Sequence, residues 1–525
     1  MGVTGVFPFF GVKEANRTRI VDQTRGKRIG VDVSILVYQH VFKTLDYQQA
    51  QSLCHFLYTD NGRQHDLPVS FWSKLLDKGL GLIQKLADSY EAEIIVVLDG
   101  ETPPSKQHTV DERKRASLQA YTDAVHHQMA HEVHKSDEAY KKAIRAPKEY
   151  LGLLARKAVE QGIQVVVAPF EADHQLLHMV ACGDIAFIWS EDSDFIVYGG
   201  RQLQNFIVKP TINSGQGLVI TSADIFCVHQ HDTKRGTKLY DFTYWTHDQL
   251  LWLTCMVGND YCRGLHGIAL KKGYELMMKA GSNGMAVSNI NDLLAFLSSA
   301  RSTEHQKAEL QSGQPDGLSF EDGVRRATFA MKHQAVYNVN QQAFVNRLSC
   351  GDADTTPDAV TEQWAGSPQT ALERVTAAGA SPHGYARGDM LPVPRCFADV
   401  APSVVVMMTP TGMPTDNWYM DVDVLKKGYR VPFLDDLTCN HHFSQKTVSG
   451  TATPRGAGAT LFKGAIRASS MHSAMLLDGG RKTSCRCPYS CPATAPPWKI
   501  SKGIEKSLSK SIPNYRRVVG STGQP

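Results

Sequence analysis

Four short apolar runs of this chain each end in carboxylates: RIGVD at 28–32, EIIVVLD at 93–99, IQVVVAPFEAD at 163–173 and AFIWSEDSD at 186–194. Each run is too short for a helix and too apolar for a surface loop, so each reads as a buried strand. Between them lie segments with helical spacing. EADHQLLHMVACG (171–183) is one such amphipathic stretch, with Gly183 placed to end it. Strands alternating with helices predict a mostly parallel central sheet flanked by helices, an α/β fold. In such a sheet the carboxyl ends of the strands open onto one crevice, where ligands bind. Any one of these acids could be the N-cap of the following helix. Together they would make a shared edge strongly negative, and buried carboxylates are costly without a compensating cation.

The remainder of the chain divides by character. The polar stretch at roughly 104–160 carries helical spacing with many Lys, Arg and His. Beyond 246 the pattern is helical again. It contains a turn with Asp260 and the segment GLHGIALKKG, then continues through DGVRRATFAMKHQAVYNVN. A Gly-rich hairpin between two short helices can present backbone N–H groups to a phosphate, with Lys271 and Lys272 adding charge. From about 351 Pro, Gly, Ser, Thr and Ala dominate and periodicity is lost, so 351–525 is expected to be a low-complexity, largely disordered tail.

With 525 residues, 42% hydrophobic and 21% charged, the chain is long enough for two or more domains and a substantial core. No run of about 18 apolar residues occurs, which sets aside a membrane-spanning helix. The start, MGVTGVFPFF, lacks the basic and apolar regions of a signal peptide, and Val6 stands where a myristoylation signal wants Ser or Thr. The net charge of +4 says little, but its distribution says more. Within 451–525, Arg455, Lys463, Arg467, Arg481, Lys482, Arg486, Lys499, Lys502, Lys506, Lys510, Arg516 and Arg517 face only Asp478 and Glu505. Such a basic tail suits nucleic acid or nuclear targeting, and equally a solvated segment. The 11 cysteines are mostly scattered singly, as in a reduced intracellular protein; Cys485, Cys487 and Cys491 lack a second ligand pair for zinc.

Taken together, MGVTGVFPFF, VLDGETPPSK, APFEADHQL, SEDSDFIVYG and GNDYCRGLHGIALKKG resemble, in order, the motifs of the flap-endonuclease superfamily of 5′ nucleases and of its exonuclease branch. The resemblance covers about residues 1–350. It implies a PIN-like 5′ nuclease core over 1–350, with a helical arch at about 101–160 and a helix–two-turn–helix at about 248–280. It further implies a metal site of Asp32, Asp99, Glu171, Asp173, Asp192, Asp194 and Asp260 holding two Mg²⁺, for which Mn²⁺ can substitute. Asp32, Asp99, Glu171 and Asp173 are expected on one ion, and Asp192, Asp194 and Asp260 on the second. Lys106 and Arg113 fall at the basic arch positions that grip the scissile phosphate; on their own they read as a solvated helix face. Gly2, Tyr38, Gly264, Gly267, Lys271 and Lys272 are implied as DNA contacts, with K⁺ at the helix–two-turn–helix. Ala269 and Gly264 depart from the family pattern there, and residues 43–70 look longer than usual.

The implied activity is a metal-dependent 5′→3′ exonuclease on double-stranded DNA that also cuts 5′ flaps, in mismatch repair or recombination. Its substrates would be duplexes with 5′ ends, nicks, gaps or flaps. The protein is expected to be a nuclear monomer whose tail reaches repair-protein partners. A flap or junction endonuclease of the same superfamily, a non-catalytic DNA-binding scaffold on this fold, and an RNase remain as alternatives.

Overall fold

The computed structural model describes residues 3–58, 67–233, 236–299, 304–314, 317–348, 365–388 and 391. Its centre is a seven-stranded sheet built from β1 (Thr18–Arg19), β2 (Arg28–Asp32), β3 (Glu93–Leu98), β4 (Gln164–Val167), β5 (Phe187–Trp189), β6 (Phe206–Thr211) and β7 (Gln216–Ile220). The order across the sheet is β1-β7-β6-β5-β2-β3-β4. The pairs β5/β6, β2/β5, β2/β3 and β3/β4 are parallel; β7 runs antiparallel to β6, and β1 antiparallel to β7. The mostly parallel sheet expected from the apolar runs is therefore present, with an antiparallel edge. All four residues of β4 are buried, and in β3 all but Glu93. This is the signature of strands covered on both faces, and it explains why these runs do not alternate.

The crossover helices pack where the periodicity placed them. Ala172–Cys182 lies against β2 so closely that a Cβ on Gly30 would meet Leu176 at 2.4 Å, and Gly183 ends the helix at φ 79°. Val69–Tyr90 buries Trp72, Leu75, Leu76, Leu80, Ile83 and Leu86 along one stripe. The polar stretch at 104–160 forms helices Gln107–Met129, Val133–Ala143 and Lys148–Glu160. The first two pack as a hairpin and shelter helix Tyr47–Tyr58, where Tyr58 stacks on Tyr121 at 5.1 Å. Beyond the sheet, β8 (Val228–Thr233) and β9 (Gly236–Asp241) form a separate antiparallel pair. Helices His247–Val257, Leu270–Ala280, Ile290–Ser299, Glu304–Ser312 and Phe320–His333 follow.

Two expectations are corrected, and one further feature is new. Helical character does not run through 335–340: Ala335–Asn338 is a strand, β10, paired antiparallel with Ala343–Asn346, β11. Its backbone is recruited by the helix behind it, since the Tyr337 N–H donates to Gln175 at 2.7 Å. The antiparallel β6/β7 edge was not anticipated, although SGQG supplies a turn there. Ordered structure also does not close near 350. Helices Pro368–Ala377 and Pro382–Ala386 return to the core. Each starts with a Ser N-cap and a Pro in the first turn: Ser367 accepts from Thr370 N and Ser381 from Gly384 N. These Ser-Pro pairs read as low complexity but are helix starts. The rest of the expected tail, including the basic stretch 451–525, lies outside the described residues. Among the described residues no helix is long and apolar enough to cross a membrane.

Candidate active site

The parallel strands deliver their acids to one end of the sheet. Asp32 closes β2 and caps the next helix, accepting from Ser34 N at 2.9 Å and Ile35 N at 3.4 Å. Its capping role is therefore real, but it is not the whole role of the group. Asp99 follows β3 and accepts from Ala172 N at 2.9 Å, which ties its loop to the one carrying Glu171 and Asp173. After β5, Asp192 accepts from Asp194 N at 3.1 Å. Asp194 in turn accepts from Val3 N at 3.0 Å and from the Tyr198 hydroxyl at 3.1 Å. Asp260 enters from the loop after helix His247–Val257.

The electrostatics show that these groups face one another. Burial pushes Asp32 well above the ordinary carboxylate range, and the charges of Asp99 and Asp192 push it further. Burial does the same to Asp173, with Asp192, Asp32 and Glu171 adding repulsion. Asp194 is raised to about 8 by burial, then by Asp192 and Asp260. Glu171 is raised by burial, against which the ammonium of Lys106 works, while Asp260 and Asp99 add to the rise. All seven expected acids thus belong to one interacting set, with Asp192 acting on Asp32, Asp173 and Asp194 alike.

Positive charge comes from the start of helix Gln107–Met129 and the residue before it. Lys106 Nζ donates to Glu171 Oε1 and lies 2.9 Å from Asp260 Oδ2; Arg113 donates to Asp260 Oδ1 at 2.6 Å. Burial alone would raise Asp260, but Lys106 and Arg113 outweigh it and hold this carboxyl below its usual value. Lys106 is nearly enclosed, so the reading of it as a solvated helix face does not hold. The Lys106 ammonium sits on the acids themselves.

Among the described residues, no three His, Cys, Asp or Glu side chains stand close enough together to hold one metal ion in this structure. The donor set nevertheless suits a hard divalent cation. It is made only of carboxylate oxygens, which Mg²⁺ and Mn²⁺ prefer. Asp173 Oδ1 is buried and has no hydrogen-bond partner among the described residues, so one ligand atom is left unsatisfied where a cation would serve it. The mutual repulsion raising Asp32, Asp173 and Asp194 is what such a charge would relieve.

Several residues escaped the sequence reading. The Tyr261 hydroxyl donates to Glu171 Oε2, and Gln334 and the His174 ring bond the same hydroxyl at 3.2 and 3.3 Å. Gln334 also accepts from Glu171 N at 3.2 Å. The adjacency of Tyr261 to Asp260 was a signal; Gln334, 163 positions from Glu171, offered none.

The expected DNA contacts are dispersed. Gly2 lies outside the described residues. Tyr38 is half-buried on helix Val33–His40, six residues past Asp32, with Lys43 5.4 Å over its ring. Gly264 and Gly267 shape the turn before helix Leu270–Ala280. A Cβ on Gly264 would meet Val257 C and O at 2.4 Å, so the close backbone approach there admits only glycine. Lys271 and Lys272 are exposed at that helix's start, and Lys272 donates to Gly267 O at 3.2 Å.

A family model described as the XPG I-region matches residues 162–260, which carry five of the seven acids. The chain is 24% identical over 288 residues to exonuclease 1 of Drosophila melanogaster, covering 55% of this chain and 35% of the relative. It is 25% identical over 285 residues to exonuclease 1 of Danio rerio, covering 54% and 31%. Flap endonuclease 1 of Theileria annulata is 22% identical over 330 residues, covering 61% and 60%. The chain spans about a third of the length of the two exonuclease 1 relatives. A solved structure of the catalytic core of Rad2 in complex with DNA substrate matches with a TM-score of 0.37, at 15% identity over 69% of this chain and 85% of that one. The sequence matches bear out the resemblance to the flap-endonuclease superfamily read from the motifs.

Proposed function

We propose, from this relation to the flap-endonuclease superfamily of 5′ nucleases, that the chain is a metal-dependent phosphodiester hydrolase. Its reaction is 5′→3′ exonucleolytic cleavage of double-stranded DNA, and it also cuts 5′ flaps. The observation that supports this reading is that carboxylates from five separate stretches act on one another's charge, with Lys106 and Arg113 paired to two of them. A structural acidic edge needs no such arrangement, and a non-catalytic scaffold has no use for it.

When bound, a pair of divalent ions would supply the Lewis acidity that activates water and neutralises the leaving oxygen. Asp32, Asp99, Glu171 and Asp173 would hold one, and Asp192, Asp194 and Asp260 the other. The chain's own residues do the rest. Asp99 and Glu171 are held in mutual register through Ala172 N. Tyr261 and Lys106 fix the two oxygens of Glu171. Lys106 and Arg113, which pair with Glu171 and Asp260 in this structure, would supply the positive charge for a scissile phosphate, where charge builds as the bond breaks. Preorganised charge of this kind commonly gives the largest single contribution to catalysis. Replacing Lys106 by Ala should lower the single-turnover rate about a hundredfold, in line with the loss of one such donor. A duplex-binding assay should meanwhile show affinity within a few-fold of the parent. An unchanged rate would remove Lys106 from the chemistry.

The turn at 264–267 and Lys271–Lys272 would contact the duplex backbone, with a K⁺ ion among the peptide carbonyls there. Such contacts carry no base information, so cleavage would be structure-selective and steeply salt-dependent. A nuclear setting, DNA repair and a partner-binding tail belong to the same reading.

The test is cleavage, in Mg²⁺, of duplexes labelled at either end, gapped duplexes, flaps, and a duplex with a blocked 5′ end. Short 5′-phosphorylated products from the unblocked duplex are expected. Cleavage of flaps alone would favour the endonuclease alternative, and release from 3′ ends would overturn the reading.

A further inference from the structure

The segment 365–388 lies past the expected end of the catalytic domain, yet it grips the loops that carry two of the site's acids. Arg374 Nη2 donates to Pro169 O at 2.9 Å, two residues before Glu171. Its guanidinium lies 5.2 Å from the centre of the Phe170 ring and 5.4 Å from that of Tyr385. Phe170 is almost wholly buried, and a Cβ on Gly366 would come within 2.9 Å of its ring. Phe170 is thereby enclosed by Gly366 and Arg374 from the same segment.

The grip extends to the neighbouring loop. The Gly100 N–H donates to Phe170 O at 2.6 Å and the Glu101 N–H to Pro169 O at 3.3 Å. A Cβ on Gly100 would meet the Tyr385 hydroxyl at 2.4 Å, so Tyr385 rests directly on the peptide after Asp99. A third link runs through Gly366 O, which accepts from Ala335 N at 2.9 Å, next to Gln334, whose side chain bonds Glu171 N. Segment 365–388 therefore touches the backbone beside Asp99, beside Glu171, and beside the residue that orients Glu171.

We propose that Arg374 and Tyr385 are positioning residues for the metal-binding carboxylates, so that the functional catalytic unit extends through residue 388. They touch neither substrate nor cation and act by fixing the Asp99 and Glu171 loops. The proposal rests on the metal-site reading above. Partners that orient metal ligands from behind commonly change metal affinity by tenfold or more.

The test uses the full chain and Mn²⁺ as the probe, with binding read by the loss of the free-ion paramagnetic resonance signal. Arg374→Ala should weaken Mn²⁺ binding about tenfold, with DNA affinity measured in chelator unchanged. Tyr385→Phe removes, at nearly constant volume, the hydroxyl that hydrogen-bonds the Glu101 backbone and the Arg374 side chain, and should weaken it about threefold, the effect of one net hydrogen bond. Glu373→Ala, exposed on the same helix, should leave it as in the parent. Should Arg374→Ala fail to fold, Tyr385→Phe decides. Parent-like Mn²⁺ affinity in the folded variants overturns the positioning role and leaves the nuclease reading standing. A parent chain that binds no Mn²⁺ overturns both.

Discussion

Asp192→Ala should lower DNA cleavage by at least about a thousandfold if the proposed metal-site reading holds, because loss of a carboxylate that fixes a catalytic cation would remove several kcal/mol of transition-state stabilisation. Asp192 is chosen over its neighbours for a geometric reason. Its charge bears on Asp32, Asp173 and Asp194 alike.

The substitution should not unfold the chain. The carboxylate accepts the hydrogen bond from Asp194 N, and its charge raises Asp32, Asp173 and Asp194. Loss of the bond costs about 1 kcal/mol, and relief of the repulsion works in the opposite direction. Single-turnover cleavage and a melting curve on the same preparation separate the two effects. A folded variant with undiminished cleavage would assign the activity to a contaminating nuclease and remove the acidic crevice from the chemistry.

The site was legible in the sequence to the extent that its residues are local signals. Asp32, Asp99, Glu171, Asp173, Asp192 and Asp194 each terminate an apolar run, and a parallel sheet places the carboxyl ends of its strands together whatever the intervening lengths. Asp260 lies on no strand and was reached only through the resemblance. What could not be read is what arises from long-range packing. Gln334 meets Glu171 because β10 is drawn against helix Ala172–Cys182, and nothing near residue 334 announces that. The segment 365–388 was misread for a different reason. Its composition is that of a linker, and helices of 10 and 5 residues carry too little apolar periodicity to stand out. Lys106 illustrates the opposite error. The run DERKRASLQ looks like a solvated helix face, and most of it is, but the residue just before the helix turns inward onto Glu171 and Asp260.

The metal-free protein should lose stability as pH rises from 6.5 to 8.5, and Mg²⁺ should reverse the trend. Asp194, raised to about 8, holds its proton far more tightly in the folded chain than in the unfolded one, and Asp32 and Asp173 are raised in the same sense. For such a group the stabilisation is fully present below the unfolded value. It declines as pH climbs from there and is lost once pH passes the folded value. The lower bound of the window is set by histidines. Burial lowers His178 and His247 to about 4, so below about pH 6.5 the unfolded chain gains protons that the folded chain refuses, which works against the carboxylates' trend. Between these limits the carboxylates decide the slope. A divalent cation requires them ionised, so its affinity grows with pH while the cost of ionisation is offset by its charge. Saturation to a hundred times the dissociation constant adds about 2.7 kcal/mol. Melting curves at pH 6.5 and 8.5, in chelator and in excess Mg²⁺, should therefore show several degrees of stabilisation at the higher pH and less at the lower. In Asp192→Ala both the decline and the rescue should shrink. Melting temperatures indifferent to Mg²⁺ at both pH values would mean that these carboxylates, though gathered, do not share a cation.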